Sequence, residues 1–471
     1  MVERHPIREV WAQAWPSVLT MVSYTLMQFV DSLMVAQVGP IEMAAQGNGG
    51  IWSFVPLAFL FGVLSMVNTF TAQNVGAGRR EEIARFAWTG FWFSLVVWVV
   101  IMLPWAACLP LVFQYSGHSQ KLLTLETQYA VTLVLGSLFA LMGKCMSNFY
   151  FGLQRPRVIA LAALAGNIVN IVLNYVLIYG EIGLPSMGLP GIPGVPALGV
   201  LGAAIATVCG TMAEVAIPLA LFFSARFAKD HGVWQSWRPS LNDWKKLLRV
   251  GWPVGIQFGN EIVCWAIFMT LLVGKFGEIH LTAGWATLRF MHLSFMPAVG
   301  FSVATTALVG KYMGAGRPDL AANRAHWALL LATIYMTLCG LAMAIFRAPL
   351  ISLFTSTTDA ATTADIIRIG STLMICAAVF QTFDAIGIVY NGALRGAGDT
   401  VVPGLYTIAF NWIFIVLGGW LFVVWWPALE SLGPWIASAF YIIALSVFLT
   451  KRFEGGRWRR IRLLETNPIH G

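Results

Sequence analysis

Charge is scarce in this chain. Lys, Arg, Asp and Glu make up only 11% of its 471 residues, against roughly a quarter in a soluble globular domain. That shortage argues against the two or three soluble domains that the length alone would allow. Strict alternation of polar and apolar residues is also missing, which disfavours a membrane β-barrel. The six cysteines, Cys108, Cys145, Cys209, Cys264, Cys339 and Cys376, are scattered singly in apolar stretches. They show neither metal-ligand spacing nor a disulfide framework, and they read as small core residues. No glycine-rich phosphate loop runs into Lys-Ser or Lys-Thr, so nothing points to ATP as the energy source. Nor do His, Asp and Cys gather into the cluster that an integral membrane enzyme would need. The expectation is therefore no enzyme, no catalytic residue and no cofactor.

Hydrophobic residues, by contrast, make up 58%. They come in blocks of about 20 or more, long enough to cross a hydrocarbon core of ~30 Å as helices. Twelve such spans can be placed, near 13–38, 47–73, 85–113, 128–152, 157–181, 197–225, 248–276, 281–310, 326–354, 366–394, 401–426 and 431–453. The fold class is an all-α membrane protein. The chain also repeats itself: Val75-Gly76-Ala77-Gly78-Arg79 is echoed by Met313-Gly314-Ala315-Gly316-Arg317, and Trp15-Pro16 by Trp252-Pro253. Twelve spans then divide into two six-helix lobes. An even number of spans per lobe makes the repeats parallel, and a working site is expected in a central cavity where the lobes face each other. The expected organisation is an N-terminal lobe over 1–226, a cytoplasmic linker over 227–247, and a C-terminal lobe with a basic tail over 248–471.

The formal net charge of +8 is a matter of sidedness rather than of nucleic-acid binding. Placing the termini and the even-to-odd connections on one side gives that side 23 of the 29 basic residues. The other side holds only Lys121, Lys275, Arg347 and Arg368, while Lys144 and Arg289 lie well inside spans. The positive-inside rule makes both termini cytoplasmic. The segment before the first span carries both charge signs and no small-residue cleavage site, so it leads into an uncleaved helix. The loop Gly183–Gly199 is rich in glycine and proline and should form irregular turns. The Arg457–Arg462 cluster reads first as a topology signal and second as a contact for anionic lipid headgroups.

Well inside the spans stand four acids: Asp31, Glu214, Glu261 and Asp384. Inserting a carboxylate at a helix centre costs on the order of 2.5–3.5 kcal/mol, so each calls for a partner or a function. Neutralisation by a nearby base is the plain alternative to ion or proton traffic. Gln257 and Glu261 share a helix face, as do Phe380 and Asp384, and as do Asn170 and Asn174. Gln257, Phe380, Arg289 and Glu214 are candidates to line a substrate cavity. A population of 20 Trp, 31 Phe and 18 Met supplies interfacial anchors and adaptable surfaces suited to flat, lipophilic cations.

These residues resemble the multidrug and toxic compound extrusion (MATE) transporters over nearly the whole chain. The resemblance is carried by Gly392-Ala393-Leu394-Arg395-Gly396-Ala397-Gly398-Asp399-Thr400, by the paired Gly-Ala-Gly-Arg stretches, and by Phe295-Met296-Pro297-Ala298-Val299-Gly300-Phe301. Asp31 followed by Val38-Gly39, and Asn174-Tyr175 near Gly180, add to it. Pro253 ahead of Glu261, and Gln381-Thr382-Phe383-Asp384 ahead of the Leu-Arg-Gly motif, look closest to the NorM-like branch. The resemblance implies a coupling-cation site at Glu261 and Asp384. It implies a second polar site at Asp31, Asn170, Asn174 and Thr207. A sodium ion would be held at one set or the other. Two departures weigh against sodium: Phe380 stands where some members have a tyrosine, and Asn174 where some have an aspartate.

The expected function is secondary active efflux, exchanging protons or sodium ions for amphipathic, often cationic, organic compounds by alternating access. A flippase for lipid-linked precursors would want an arginine-rich cavity, and Arg289 is the only arginine well inside a span. A channel would favour a symmetric ring of subunits. A solute importer stays open, because gradients set direction. The expected partners are small-molecule drugs or organic cations and membrane lipids, with no nucleic acid. The expected form is a monomer in the bacterial inner membrane.

Overall fold

A computed structural model describes residues 5–115, 118–184, 188, 190–353 and 360–464. Among these residues, twelve helices are long and apolar enough to cross a membrane, and each pairs with one expected span. They are α1 Pro6–Ala36, α2 Pro40–Gly76, α3 Arg80–Gln114, α4 Gln120–Gly152, α5 Pro156–Ile182, α6 Val200–Phe223, α7 Leu241–Phe276, α8 Glu278–Gly314, α9 Pro318–Ile345, α10 Ala361–Ala397, α11 Val401–Trp425 and α12 Leu432–Glu454.

Several helices begin seven or eight residues before the apolar window, as at Pro6, Gln120, Leu241 and Pro318. Hydropathy cannot see an amphipathic first turn. Proline at the first helical position, as in α5 and α9, fixes the start instead. The ninth span is displaced most. It ends at Ile345 rather than near 354, because the backbone breaks at Phe346 (φ −96°, ψ 18°) before a short helix Arg347–Ser352.

The duplicated glycine motifs are duplicated helix ends. Gly78 (φ +70°) and Gly316 (φ +69°) each take the left-handed conformation. The next amide reaches back five residues in both, Arg79 N–H to Asn74 O at 3.1 Å and Arg317 N–H to Tyr312 O at 2.9 Å. This is the Schellman stop, which glycine adopts without a Cβ penalty. The fourth and tenth helices end the same way, through Gln154 (φ +62°) and Gly398 (φ +89°).

The chain divides into two compact units, Leu19–Gly255 and Met1–Val18 together with Ile256–Gly471. They are called the N-terminal and C-terminal units below. The division falls inside α1 and α7, so each unit takes in part of the other half's first helix. In the N-terminal unit, a Cβ on Gly62 of α2 would come within 2.6 Å of the Gly255 Cα of α7. In the C-terminal unit, a Cβ on Gly300 of α8 would come within 2.7 Å of the Val18 backbone of α1. Small residues permit both close crossings.

Polar anchors fix these borrowed segments. Glu9 is buried and accepts hydrogen bonds from Lys311 (2.8 Å), Arg324 (2.8 Å) and Tyr312 (2.7 Å), all within the C-terminal unit. Arg85 pairs with Asp243 at 2.6 Å within the N-terminal unit. The expected linker is largely ordered: Ala225–Asp230 is helical and α7 already starts at Leu241. In the loop after α5, the described residues are turns with Gly183, Gly188, Gly194 and Gly199 at positive φ. Residues 185–187 and 189 of that loop lie outside the described residues, as does Arg4.

Candidate functional site

In the N-terminal unit, α1, α5 and α6 meet along a ladder of polar side chains. Asp31 is buried. Asn174 Nδ2 donates to Asp31 Oδ1 at 2.5 Å and to Asn170 Oδ1 at 3.2 Å. Thr207 Oγ1 lies 3.5 Å from the other carboxylate oxygen and donates to its own helix at Ala203 O, 2.9 Å away. The structure thus brings together Asp31, Asn170, Asn174 and Thr207. No basic side chain pairs with Asp31 among the described residues.

Glycines set this spacing. A Cβ on Gly210 of α6 would fall 2.7 Å from the Asn170 Cβ, and one on Gly166 of α5 would fall 2.8 Å from the Glu214 Cβ. The helices therefore pack at a separation that only glycine allows, and short amides and carboxylates can reach across. Just after Asn174, α5 widens into a π-helical turn over Tyr175–Tyr179. Such turns leave the regular hydrogen-bond ladder and often mark functional positions.

The next rung joins Asn167 to Ser23, whose Oγ accepts from Asn167 Nδ2 at 2.5 Å. Below it the Tyr24 hydroxyl donates to Glu214 and lies within hydrogen-bonding reach of Ser147. Lys144 is in electrostatic reach of Glu214, with its ammonium 5.5 Å over the Phe61 ring. Sequence reasoning placed Glu214 among the cavity candidates but missed Tyr24, Ser23, Asn167 and Ser147, because isolated hydroxyls and amides in apolar helices carry no spacing signal.

In the C-terminal unit, Gln257 Nε2 donates to Glu261 Oε1 at 3.4 Å on α7. Asp384 of α10 lies in electrostatic reach of Glu261, and it makes no hydrogen bond or ion pair among the described residues. Arg395 and Tyr441 are also in electrostatic reach of Glu261. Arg395 sits 5.5 Å over the Phe258 ring. Phe380 is fully buried in the apolar core with Phe268, Met269 and Trp435. Arg289 is exposed on α8 beside His292 and belongs to neither cluster. Among the described residues no group of three or more His, Cys, Asp or Glu could hold a metal ion.

The repeat relates the two clusters. Tyr24 stands eight residues after Pro16 of the first Trp-Pro pair, as Glu261 stands eight after Pro253 of the second. Both α5 and α11 contain a π-helical turn, Tyr175–Tyr179 and Asn411–Gly418. Counting eight residues on from Pro16, as from Pro253 to Glu261, would have found Tyr24 from the sequence.

Twin halves with buried polar centres match the comparisons with known proteins. The MatE family model matches this chain twice, over residues 16–176 and 261–421. The chain belongs to the MatE family. A probable multidrug resistance protein NorM of Burkholderia pseudomallei is 30% identical over 443 residues, covering 94% of this chain and 91% of that one. The multidrug resistance protein MdtK of Yersinia pestis is 28% identical over 466 residues, covering 96% and 95%. A MOP superfamily transporter from Pyrococcus furiosus shares the fold with a TM-score of 0.86 at 20% identity, over 97% of this chain and 98% of that one. An outward-facing multidrug resistance MATE transporter aligns with a TM-score of 0.85 at 21% identity, over the same shares. This MatE chain is a multi-pass membrane protein and a multidrug efflux transporter of small molecules, not an enzyme.

Proposed function

We propose that this MatE chain is an antiporter, with both termini cytoplasmic in the bacterial inner membrane, that exchanges protons for amphipathic organic cations through its buried carboxylates. The observation that carries this reading is Asp31, a buried acid held by neutral amide and hydroxyl groups rather than by a base. A carboxylate already locked to Lys or Arg has little reason to change its protonation. One held by donors in a low-polarity interior can gain or lose a proton at moderate cost. Protonation removes the charge that would hold a cationic drug and alters the hydrogen bonds to Asn174 and Thr207. The two occupants therefore compete, and alternate exposure to the two sides turns that competition into exchange. An inward-directed potential adds ~2.3 kcal/mol per elementary charge per 100 mV.

The donor set speaks for a proton over sodium. Asn174 turns its Nδ2 toward the carboxylate, whereas a sodium ion would want oxygens converging there. Glu261 and Asp384 are proposed as the second coupling position, with Gln257 beside them. Asp384 has no donor of its own among the described residues, so cation or proton occupancy there would leave few protein bonds to break. In inverted membrane vesicles, Asp31→Asn, Glu261→Gln and Asp384→Asn should each impair dye transport while the protein stays in the membrane. Normal transport by all three would refute the coupling assignment.

A further inference from the structure

The cluster around Glu214 is separate from the Asp31 cluster. Tyr24 precedes Asp31 by seven residues on α1, and Glu214 follows Thr207 by seven on α6. Two helical turns, about 10 Å, therefore divide the clusters. Within the N-terminal unit α1 and α4 bring polar groups to Glu214 of α6, and α2 adds a ring beside one of them. Tyr24 of α1 donates its hydroxyl to the carboxylate. Ser147 of α4 is within reach of that hydroxyl. Lys144, three residues before Ser147, is in electrostatic reach of Glu214 and lies over the face of Phe61 of α2 at 5.5 Å. Tyr24, Phe61, Lys144 and Glu214 each keep part of their surface accessible.

A carboxylate beside an aromatic face is the pair of groups that recognises an organic ammonium or phosphonium ion. Here Lys144 links such a pair, its ammonium lying over the Phe61 ring and within electrostatic reach of Glu214. That ammonium is carried on a flexible four-carbon stem, which can swing aside without disturbing the backbone. Tyr24 occupies the repeat position of Glu261, each eight residues after the proline of its Trp-Pro pair.

We propose that Glu214, Tyr24, Phe61 and Lys144 form a loading site for organic cations, in which the Lys144 ammonium holds the cargo's place until a cation displaces it. The proposal rests on the reading that this transporter carries organic cations. The loading site lies seven residues closer to the start of α1 than Asp31 does. Cargo would meet it first when coming from the side on which α1 begins, and would pass on to the Asp31 cluster.

The sign of the Lys144 effect decides between a displaceable stand-in and a structural ion pair. Equilibrium binding of tetraphenylphosphonium to the purified full-length protein, without any gradient, reads it directly. Lys144→Gln should tighten binding roughly five- to tenfold, because the carboxylate and ring no longer need to be vacated. Glu214→Gln should weaken binding by a similar factor. In the Glu214→Gln background, Lys144→Gln should have no further effect, which separates local competition from a general change in charge. Tyr24→Phe alters no charge and should weaken binding about twofold by releasing the carboxylate from its donor. It keeps the test decisive if a Lys144 variant does not fold. Unchanged or weaker binding in Lys144→Gln, or unchanged binding in both Glu214→Gln and Tyr24→Phe, overturns the loading site. If the wild type binds the probe and these variants fail the test, the loading site falls and the antiporter reading stands. Absence of binding by the wild type, with no pH-driven dye transport, removes both.

Discussion

The two units solve the same problem with different side chains. The N-terminal unit keeps one acid, Asp31, within a shell of amides and a hydroxyl, and places its second acid, Glu214, two turns away beside a lysine. The C-terminal unit brings Glu261 and Asp384 within electrostatic reach of each other, and only Glu261 has a side-chain donor among the described residues. The backbones share the Schellman ends of α2, α4, α8 and α10, and α5 and α11 each contain a widened turn. Duplication therefore fixed the scaffold, and the placement of acids diverged on it. On the proposed reading, the N-terminal unit holds a single charge change tightly. In the other, two like charges favour sharing one proton or cation between them.

That contrast makes the following predictions, from largest effect to smallest. Asp31→Asn should lower pH-driven efflux more than either C-terminal substitution, by roughly 5- to 150-fold, the span of ordinary coupling free energies. Transport rates in vesicles at equal protein level would check it. A smaller loss than in Asp384→Asn would reverse the order of the units. The anchors of the borrowed helices should also differ. Glu9→Ala leaves Lys311 and Arg324 facing each other without their buried acid and should cost about 3–5 kcal/mol in the C-terminal unit. Arg85→Ala removes a partly exposed partner but leaves the buried Asp243 unpaired, and should cost less, about 1–3 kcal/mol. Thermal unfolding in detergent would separate the two. Gly210→Ala forces a Cβ against Asn170 and should cost about 1–3 kcal/mol, with efflux falling as α5 and α6 move apart. Matched transport and melting measurements would show both losses together. Asn174→Asp should change the least in total rate, by a fewfold, while making transport respond to sodium. The new carboxylate turns two oxygens toward Asp31 where an amide nitrogen now points.

Much of this was legible in the sequence, for physical reasons that can be named. A span of 20 apolar residues has one stable outcome in a bilayer, so the twelve helices and their pairing into halves could be read from hydropathy and from the repeated Gly-Ala-Gly-Arg. Asp31, Asn170 and Asn174 could be picked out because polar groups in such helices are costly, Thr207 followed only from the family resemblance, and the structure draws those four together. Phe380 shows the limit: its place one turn from Asp384 suggested a lining position, yet it packs into the core with Phe268 and Trp435. Sharing a helix face with an acid does not say which way that face looks. Glu9 escaped notice because it precedes the apolar window, and its three partners lie about 300 residues away.

The most direct test reconstitutes the purified transporter in proteoliposomes with a fluorescent cationic dye and imposes pH and sodium gradients separately. The proton reading predicts dye movement driven by the pH gradient, little response to sodium alone, and loss of the pH response in Asp31→Asn. Movement driven by sodium with no effect of pH, or an unaltered pH response in Asp31→Asn, would contradict it.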